Sequence, residues 1–227
     1  MTSLPISDDY TGDLGDGATA QRTTSGDHSI VKLSVGPMDN NTYLVTCRST
    51  GDQLLIDAAN DADRILALLD AVPGTLRLIF TTHQHPDHWQ ALAEVAEATD
   101  APTAAGRFDA PDIPVPIDLL IDDGGTLTIG ELEFTAVLLV GHTPGSIALA
   151  LPGGADGRVD LFTGDSLFPG GLGKTNAPED FDTLYRDVTT KLFDRFDDAT
   201  VVFPGHGKDT TLGVERPQLD TWRDRGW

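Results

Sequence analysis

Thr82-His83-Gln84-His85-Pro86-Asp87-His88 is the stretch on which the reading of this 227-residue chain turns. It packs three imidazoles and a carboxylate into the six positions from His83 to His88. Imidazole nitrogen and carboxylate oxygen are the donors that zinc and its first-row neighbours prefer. Leu76–Thr81, immediately before it, is a compact apolar run that predicts a strand, so the cluster sits at a strand's C-terminal end. In an extended loop, positions 83, 85 and 87 share one side while His88 turns to another. That geometry suits two adjacent metals better than one. A surface histidine cluster or a helix cap is the plainer reading, and three histidines with an aspartate at this spacing argue against it.

The other histidines point the same way. Of six, His83, His85 and His88 lie in this segment, His142 in Gly141-His142-Thr143-Pro144-Gly145, and His206 in Pro204-Gly205-His206-Gly207. Only His28 lies outside such a setting. Each of these segments follows a predicted strand, so loops from several strand ends can converge on one place. Asp165, in Thr163-Gly164-Asp165, stands in the same relation to a strand ending at Phe162. A carboxylate with two oxygens can bridge two cations, which an imidazole cannot readily do.

Outward from these motifs, Ser29–Val35, Thr42–Cys47 and Gln53–Ile56 predict strands, the first two joined by the turn-rich segment Gly36–Asn40. Asn60 offers an N-cap to a helix with Ile65, Leu66, Leu69 and Val72 along one face, stopped by Pro73-Gly74. A second helix follows the histidine cluster, with Leu92, Val95 and Ala96 inward. From Leu119 to Phe162 the pattern is strands: Leu127–Ile129, Glu131–Val140, Ile147–Leu151 and Arg158–Phe162, with turns at Gly130 and Gly153–Gly157. A long helix over Glu179–Phe196 and a strand over Thr200–Phe203 close the pattern. Two groups of strands, each followed by helices, predict two sheets packed face to face with helices outside. Residues 1–28 are polar and without periodicity and read as a mobile arm or a loosely packed edge, leaving one domain over residues 29–227.

The formal net charge is -21, from 36 acidic against 15 basic residues. A field of that sign repels phosphate backbones and anionic lipids, which argues against nucleic acid and membranes as partners. Solubility, or adaptation to a salty interior, is its plain meaning. Cys47 is the only cysteine, so no intramolecular disulfide and no cysteine metal cage can form, and its apolar surroundings predict a buried strand residue. No run approaches the roughly 18 apolar residues of a membrane helix. Met1–Tyr10 lacks the basic and apolar regions of a secretory signal, so cytoplasmic residence is the expectation.

The set His-x-His-x-Asp-His, Gly-His-Thr-Pro-Gly, Thr-Gly-Asp and Pro-Gly-His resembles the metallo-β-lactamase-fold superfamily across about residues 29–210. Within it, Phe162–Phe168 followed by Gly171-Leu172-Gly173-Lys174 resembles the loop of the glyoxalase II (hydroxyacylglutathione hydrolase) branch. The resemblance implies an α/β (α+β) fold, a four-layer αββα sandwich. It also implies two divalent ions, zinc first with iron or manganese as alternatives. His83, His85 and His142 would hold one, Asp87, His88 and His206 the other, and Asp165 would bridge them. Asp57, in Leu55-Ile56-Asp57-Ala58, looks like a carboxylate that orients a ligand imidazole; the plainer reading is a loop-capping aspartate.

The implied chemistry is water activation, since two cations sharing a water bring its pKa toward neutrality. The implied partner is a small-molecule substrate, an anionic thioester or related ester. Asp87 and Asp165 would be the catalytic carboxylates, Asp87 orienting the nucleophile as well as ligating. Lys174 resembles the position that contacts the thiol's anionic group, and Trp89 either lines the pocket or belongs to the core. Three departures bear on the substrate. Only residues 208–227 follow the last motif, where glyoxalase II enzymes carry a helical region that helps hold glutathione. Trp89 stands where that branch has a small residue, and Leu172 where it commonly has cysteine.

Rival branches are weighed by residues. Classical β-lactamases of the fold lack the bridging aspartate, flavodiiron oxidoreductases have Glu in place of His85, and the fold's nucleases need an extra domain. A lactonase shares every ligand. Mononuclear-iron persulfide dioxygenases favour an Arg-containing loop where this chain has Pro169–Lys174. A non-catalytic metal-binding protein would be expected to have lost ligands, and here the set is intact.

Overall fold

The computed structural model describes residues 4–15, 17–153 and 157–226. Eight strands form the first sheet in sequence order: β1 (Ile6–Ser7), β2 (Ala20–Ser25), β3 (His28–Val35), β4 (Asn40–Cys47), β5 (Asp52–Ile56), β6 (Thr75–Thr81), β7 (Thr103–Gly106) and β8 (Leu119–Ile121). Helices α1 (Ala62–Ala71) and α2 (Leu92–Thr99) cross over between β5, β6 and β7, which run parallel. The second sheet contains β9 (Thr126–Ile129), β10 (Leu132–Leu138), β11 (Ile147–Leu151), β12 (Asp160–Gly164), β15 (Val201–Pro204) and β16 (Thr210–Thr211). A small hairpin, β13 (Leu167–Phe168) and β14 (Gly171–Leu172), follows β12. Helix α3 (Pro178–Val188) and the short helices α4 (Leu212–Glu215) and α5 (Leu219–Arg225) complete the second half.

Three apolar clusters define the layering. Ile30, Tyr43, Val45, Phe80, Phe134, Phe162 and Phe203 meet between the two sheets. Val31, Leu33, Leu55, Ile65, Leu68 and Val95 join the first sheet to α1 and α2. Val137, Leu161, Phe181, Leu184, Val188 and Trp222 join the second sheet to α3 and α5. Three interfaces make four layers, an αββα sandwich. Both faces of β3, β4 and β12 are therefore covered, which is why these strands read as nearly continuous buried runs.

Several sequence expectations need correction. Strand structure starts ahead of Ser29: β2 pairs antiparallel with β3 from Gln21↔Lys32 to Ser25↔His28, and β1 pairs with β2. The segment before residue 28 thus supplies edge strands, because backbone pairing does not require an apolar pattern. Asp61, not Asn60, is the N-cap of α1; it lies at φ 51°, and Asn60 Oδ1 accepts its backbone N–H. The helix expected over Glu179–Phe196 begins at Pro178 and changes to π-helical winding over Thr189–Phe193, which buries both Leu192 and Phe193. Cys47 is fully buried in β4, as its surroundings predicted. Of the turn expected at Gly153–Gly157, Gly154, Ala155 and Asp156 lie outside the described residues. Among the described residues no helix is long and apolar enough to cross a membrane.

The topology gathers strand ends. Asp57, His83, Asp165 and His206 lie just beyond the C-terminal ends of β5, β6, β12 and β15, the parallel members of both sheets. The two halves are stitched at this edge: Asn41 N donates to Gly205 O (2.8 Å) and Ile147 N donates to Thr82 O (3.0 Å).

Candidate metal centre

The loop after β6 turns through one 3₁₀ turn, Pro86–His88, with proline where no N–H is needed. That turn separates the histidines. His83 Nε2, His85 Nδ1 and His142 Nε2 converge, with separations of 3.1 Å (83–85), 2.9 Å (85–142) and 3.3 Å (83–142). Asp87 Oδ2, His88 Nε2 and His206 Nε2 form a second group: 3.3 Å between the two imidazoles, and 3.6 and 3.2 Å from the carboxylate to His88 and His206. Asp165 faces both. Its Oδ1 lies 3.3 Å from His88 Nε2, and its Oδ2 lies 3.7 Å from His142 Nε2 and 3.4 Å from His206 Nε2.

The far side of four of the five imidazoles has a partner. Asp57 Oδ2 accepts from His88 Nδ1 (2.8 Å), the carbonyl of Lys174 from His142 Nδ1 (2.7 Å), and the carbonyl of Met38 from His206 Nδ1 (2.9 Å). Thr82 Oγ1 lies 3.0 Å from His83 Nδ1. Such partners fix ring orientation and leave the opposite nitrogen's lone pair for a cation. Asp57 does more than orient His88: its Oδ1 accepts from Thr82 N (2.7 Å) and its Oδ2 from the Thr82 hydroxyl (2.8 Å). It adopts φ 57°, a left-handed conformation that aspartate tolerates better than most residues. Asp57 therefore touches both a candidate ligand imidazole and the backbone of the loop.

The electrostatics call for positive charge. Burial opposes protonation of His88, yet Asp165 and Asp57 raise it well above its ordinary value. Burial likewise opposes a proton on His206, and Asp165 and Asp87 lift it to about 10. The His206 contact holds Asp87 below the usual carboxylate range. Burial works against the charge of Asp165, but His88 and His206 hold it well below that range. Burial pushes His83 and His142 down, so those two offer neutral imidazoles. Asp165 Oδ1 is buried with no hydrogen-bond partner. A buried carboxylate oxygen that faces an imidazole nitrogen and accepts no hydrogen bond leaves room for a cation as its partner, since buried polar atoms are otherwise satisfied. The donor set of imidazoles and carboxylates fits divalent first-row ions.

Two glycines make this packing possible. A Cβ built on Gly205 would come within 2.1 Å of Asp165 Oδ1 and 2.7 Å of His88 Cε1, and one on Gly173 within 1.7 Å of Asp165 O. Only glycine permits so close a backbone approach.

Other expected residues fall differently. Trp89 is half-buried against the apolar cluster of α1 and α2, and its indole N–H donates to Gln84 O (2.7 Å). These are the contacts of its core reading, and they arise because the 3₁₀ turn directs residue 89 toward the helix layer. Lys174 contributes its carbonyl to His142, while its side chain is exposed. Sequence reasoning missed Asn40, whose Nδ2 donates to Asp87 O (2.9 Å) and Asp87 Oδ2 (3.0 Å). It also missed Asp109, buried behind the site, whose Oδ2 accepts from Gln84 N (3.0 Å) and Thr143 Oγ1 (2.6 Å) and so ties two ligand loops together. Asn40 stood at the end of the Gly36–Asn40 segment, read only as a turn. No motif marked Asp109.

With this geometry in view, the similarity to known proteins is specific. The family model described as the metallo-beta-lactamase superfamily matches residues 35–206, which include every candidate ligand. The hydroxyacylglutathione hydrolase GloC of Haemophilus influenzae is 30% identical over 181 residues, covering 71% of this chain and 83% of that protein. A hydroxyacylglutathione hydrolase of Fuscovulum blasticum is 36% identical over 136 residues, 60% of this chain and 51% of that protein. Among solved structures, TTHA1623 in a di-iron-bound form superposes with a TM-score of 0.67 at 28% identity, covering 82% of this chain and 96% of that one. The αββα layering, the converging ligand loops and the match across them make this chain a member of the metallo-beta-lactamase superfamily.

Proposed function

We propose that this chain is a metal-dependent hydrolase of a thioester or related ester, with two divalent ions held between its ligand loops. The observation that carries the reading is the shared carboxylate: Asp165 Oδ2 lies between His142 of one imidazole group and His206 of the other, while its buried Oδ1 faces His88 and accepts no hydrogen bond. His83, His85 and His142 would hold one ion, Asp87, His88 and His206 the other. When bound, such ions supply Lewis acidity toward a carbonyl and lower the pKa of water between them. Zinc is the first expectation, with iron and manganese compatible with the same donors.

The chain's own residues supply position. Asn40 fixes the Asp87 carboxylate by donating to it and to the Asp87 carbonyl, so Asp87 can accept from a nucleophilic water at a defined place. Asp57, Met38 O and Lys174 O lock three imidazoles, so little reorganisation accompanies reaction. The Lys174 ammonium, exposed beside the His142 loop, would meet the anionic group of a substrate on an otherwise acidic protein. Similarity to two hydroxyacylglutathione hydrolases supports a thioester.

The test is metal analysis of purified protein together with a thioester, lactone and persulfide panel. Two divalent ions per chain with thioester turnover is the expected result. Preference for lactones would reassign the substrate on the same site. One iron per chain with persulfide-dependent oxygen uptake would overturn the hydrolase reading.

A further inference from the structure

Lys32 is the one lysine whose side chain is completely buried, and nothing in the hydrolytic reading uses it. It points from β3 into the space between the sheets, beside Ile30 and Tyr43 of the apolar core. Its ammonium donates to three acceptors: Gly207 O (2.6 Å), Gly12 O (2.7 Å) and Asp209 Oδ1 (2.6 Å). A lysine has three N–H donors, so all are used. The Tyr10 hydroxyl donates to the other Asp209 oxygen, and Asp209 N donates to Gly12 O (3.1 Å). One buried cation therefore joins β3 to the N-terminal segment Tyr10–Gly12 and to the loop immediately after His206.

Lys208 of that loop also pairs with Asp13 of the N-terminal segment (2.7 Å), an exposed contact. Gly207 N donates to Asp39 O (3.2 Å), and Gly207 O also accepts from Asn41 Nδ2 (3.0 Å). Asn41 lies at the start of β4, and Asp39 in the β3–β4 connection, which also supplies the Met38 carbonyl to His206. Apolar packing of similar volume commonly matches or exceeds a buried ion pair in stability, so a lysine kept here invites a role other than stability. We propose that Lys32, with Asp209 and Tyr10, is a positioning device that clamps the N-terminal segment onto the His206 loop and so completes the second ligand group. The inference rests on reading Asp87, His88 and His206 as one ligand set, and it gives residues 10–12 a part in the metal centre.

Lys32→Met alone would strand the buried Asp209 carboxylate, so the test variant is Lys32→Met/Asp209→Asn, which removes both charges together. Tyr10→Phe, which deletes one hydrogen bond, serves as a milder companion. Two measurements are made on the full chain: calorimetric titration with Zn2+, and hydrogen–deuterium exchange of the metal-free protein. In the double variant the first zinc should bind as in wild type, while the second weakens about tenfold or more, the size typical for loss of a ligand-supporting contact. The Gly207 and Asp209 amides should exchange about tenfold faster, with Thr82 and Gln84 unchanged. Tyr10→Phe should move both readouts in the same direction by less. An unweakened second zinc, unaltered exchange at Gly207, or uniform acceleration at all four amides would each overturn the clamp. If wild-type protein itself binds fewer than two zinc ions, the binuclear reading fails, and the exchange pattern alone then decides the clamp.

Discussion

Asp165 carries the most chemistry for its size, and three substitutions isolate what single residues contribute. Asp165→Asn keeps the shape and removes the charge that, on the proposed function, would offset two close cations. It should cost at least one bound ion and lower hydrolysis by about 10²-fold or more, with circular dichroism unchanged. Metal content and turnover measured together check this, and wild-type values for both would show that Asp165 does not bridge. Gly205→Ala tests the same atom from the other side. The added methyl would stand 2.1 Å from Asp165 Oδ1, so bound metal should fall although no ligand has changed. Lys174→Ala addresses the substrate. An exposed charge contact is worth about 0.2–1 kcal/mol, so KM for an anionic thioester should rise about 1.4- to 5-fold. Metal content and turnover of a small neutral ester should stay near wild type, because the carbonyl that holds His142 is backbone and survives the substitution. Equal effects on charged and neutral substrates would remove Lys174 from the anion contact.

Elements, rather than residues, hold the loops that carry these ligands. Helix α3 grips the segment before His142: Val140 N donates to Asp187 Oδ2 (3.2 Å), Lys191 Nζ to Leu138 O (2.6 Å), and a Cβ on Gly141 would fall 2.6 Å from Leu184 Cβ. Among the described residues helix α1 makes no hydrogen bond to a ligand loop, and its Leu68 packs into the outer cluster of the first sheet. Leu184→Ala and Leu68→Ala should each destabilise by about 2–5 kcal/mol, the usual cost of truncating a fully buried leucine. Only Leu184→Ala should also weaken the ion held by His83, His85 and His142. Thermal melts and zinc titrations of the pair check this; parallel loss of metal affinity in both would mean that general stability, not α3, governs the His142 loop.

Across the whole molecule the net charge of -21 sets the long-range field. Raising salt from about 0.01 to 1 M shortens the Debye length from about 30 to 3 Å, so mutual repulsion is screened. The midpoint of thermal unfolding should rise with salt, and KM for an anionic thioester should fall while KM for a neutral ester holds. A midpoint that falls over that range would mean that attractive pairs, such as Arg107–Asp122, outweigh the repulsion. The two-sheet architecture and the His/Asp motifs that converge at the candidate site were legible in the sequence. His83–His88 are local in the chain, and runs such as Ile147–Leu151 and Leu76–Thr81 carry their burial in their composition. The sequence did not reveal β7, whose Thr-Ala-Ala-Gly has one β-branched residue and no aromatic, nor β2, whose Ala-Gln-Arg-Thr-Thr-Ser is almost wholly polar. The groups that orient the site were hidden for a related reason. Met38 O and Lys174 O are main-chain atoms common to every residue, and Asp109, Asn40 and Lys32 are ordinary polar residues whose partners lie far along the chain. Side-chain chemistry in short motifs marks the candidate metal site; which backbone carbonyls and buried charges stand behind those side chains is decided only when the two sheets meet, because those contacts depend on distance in space and leave no pattern along the chain.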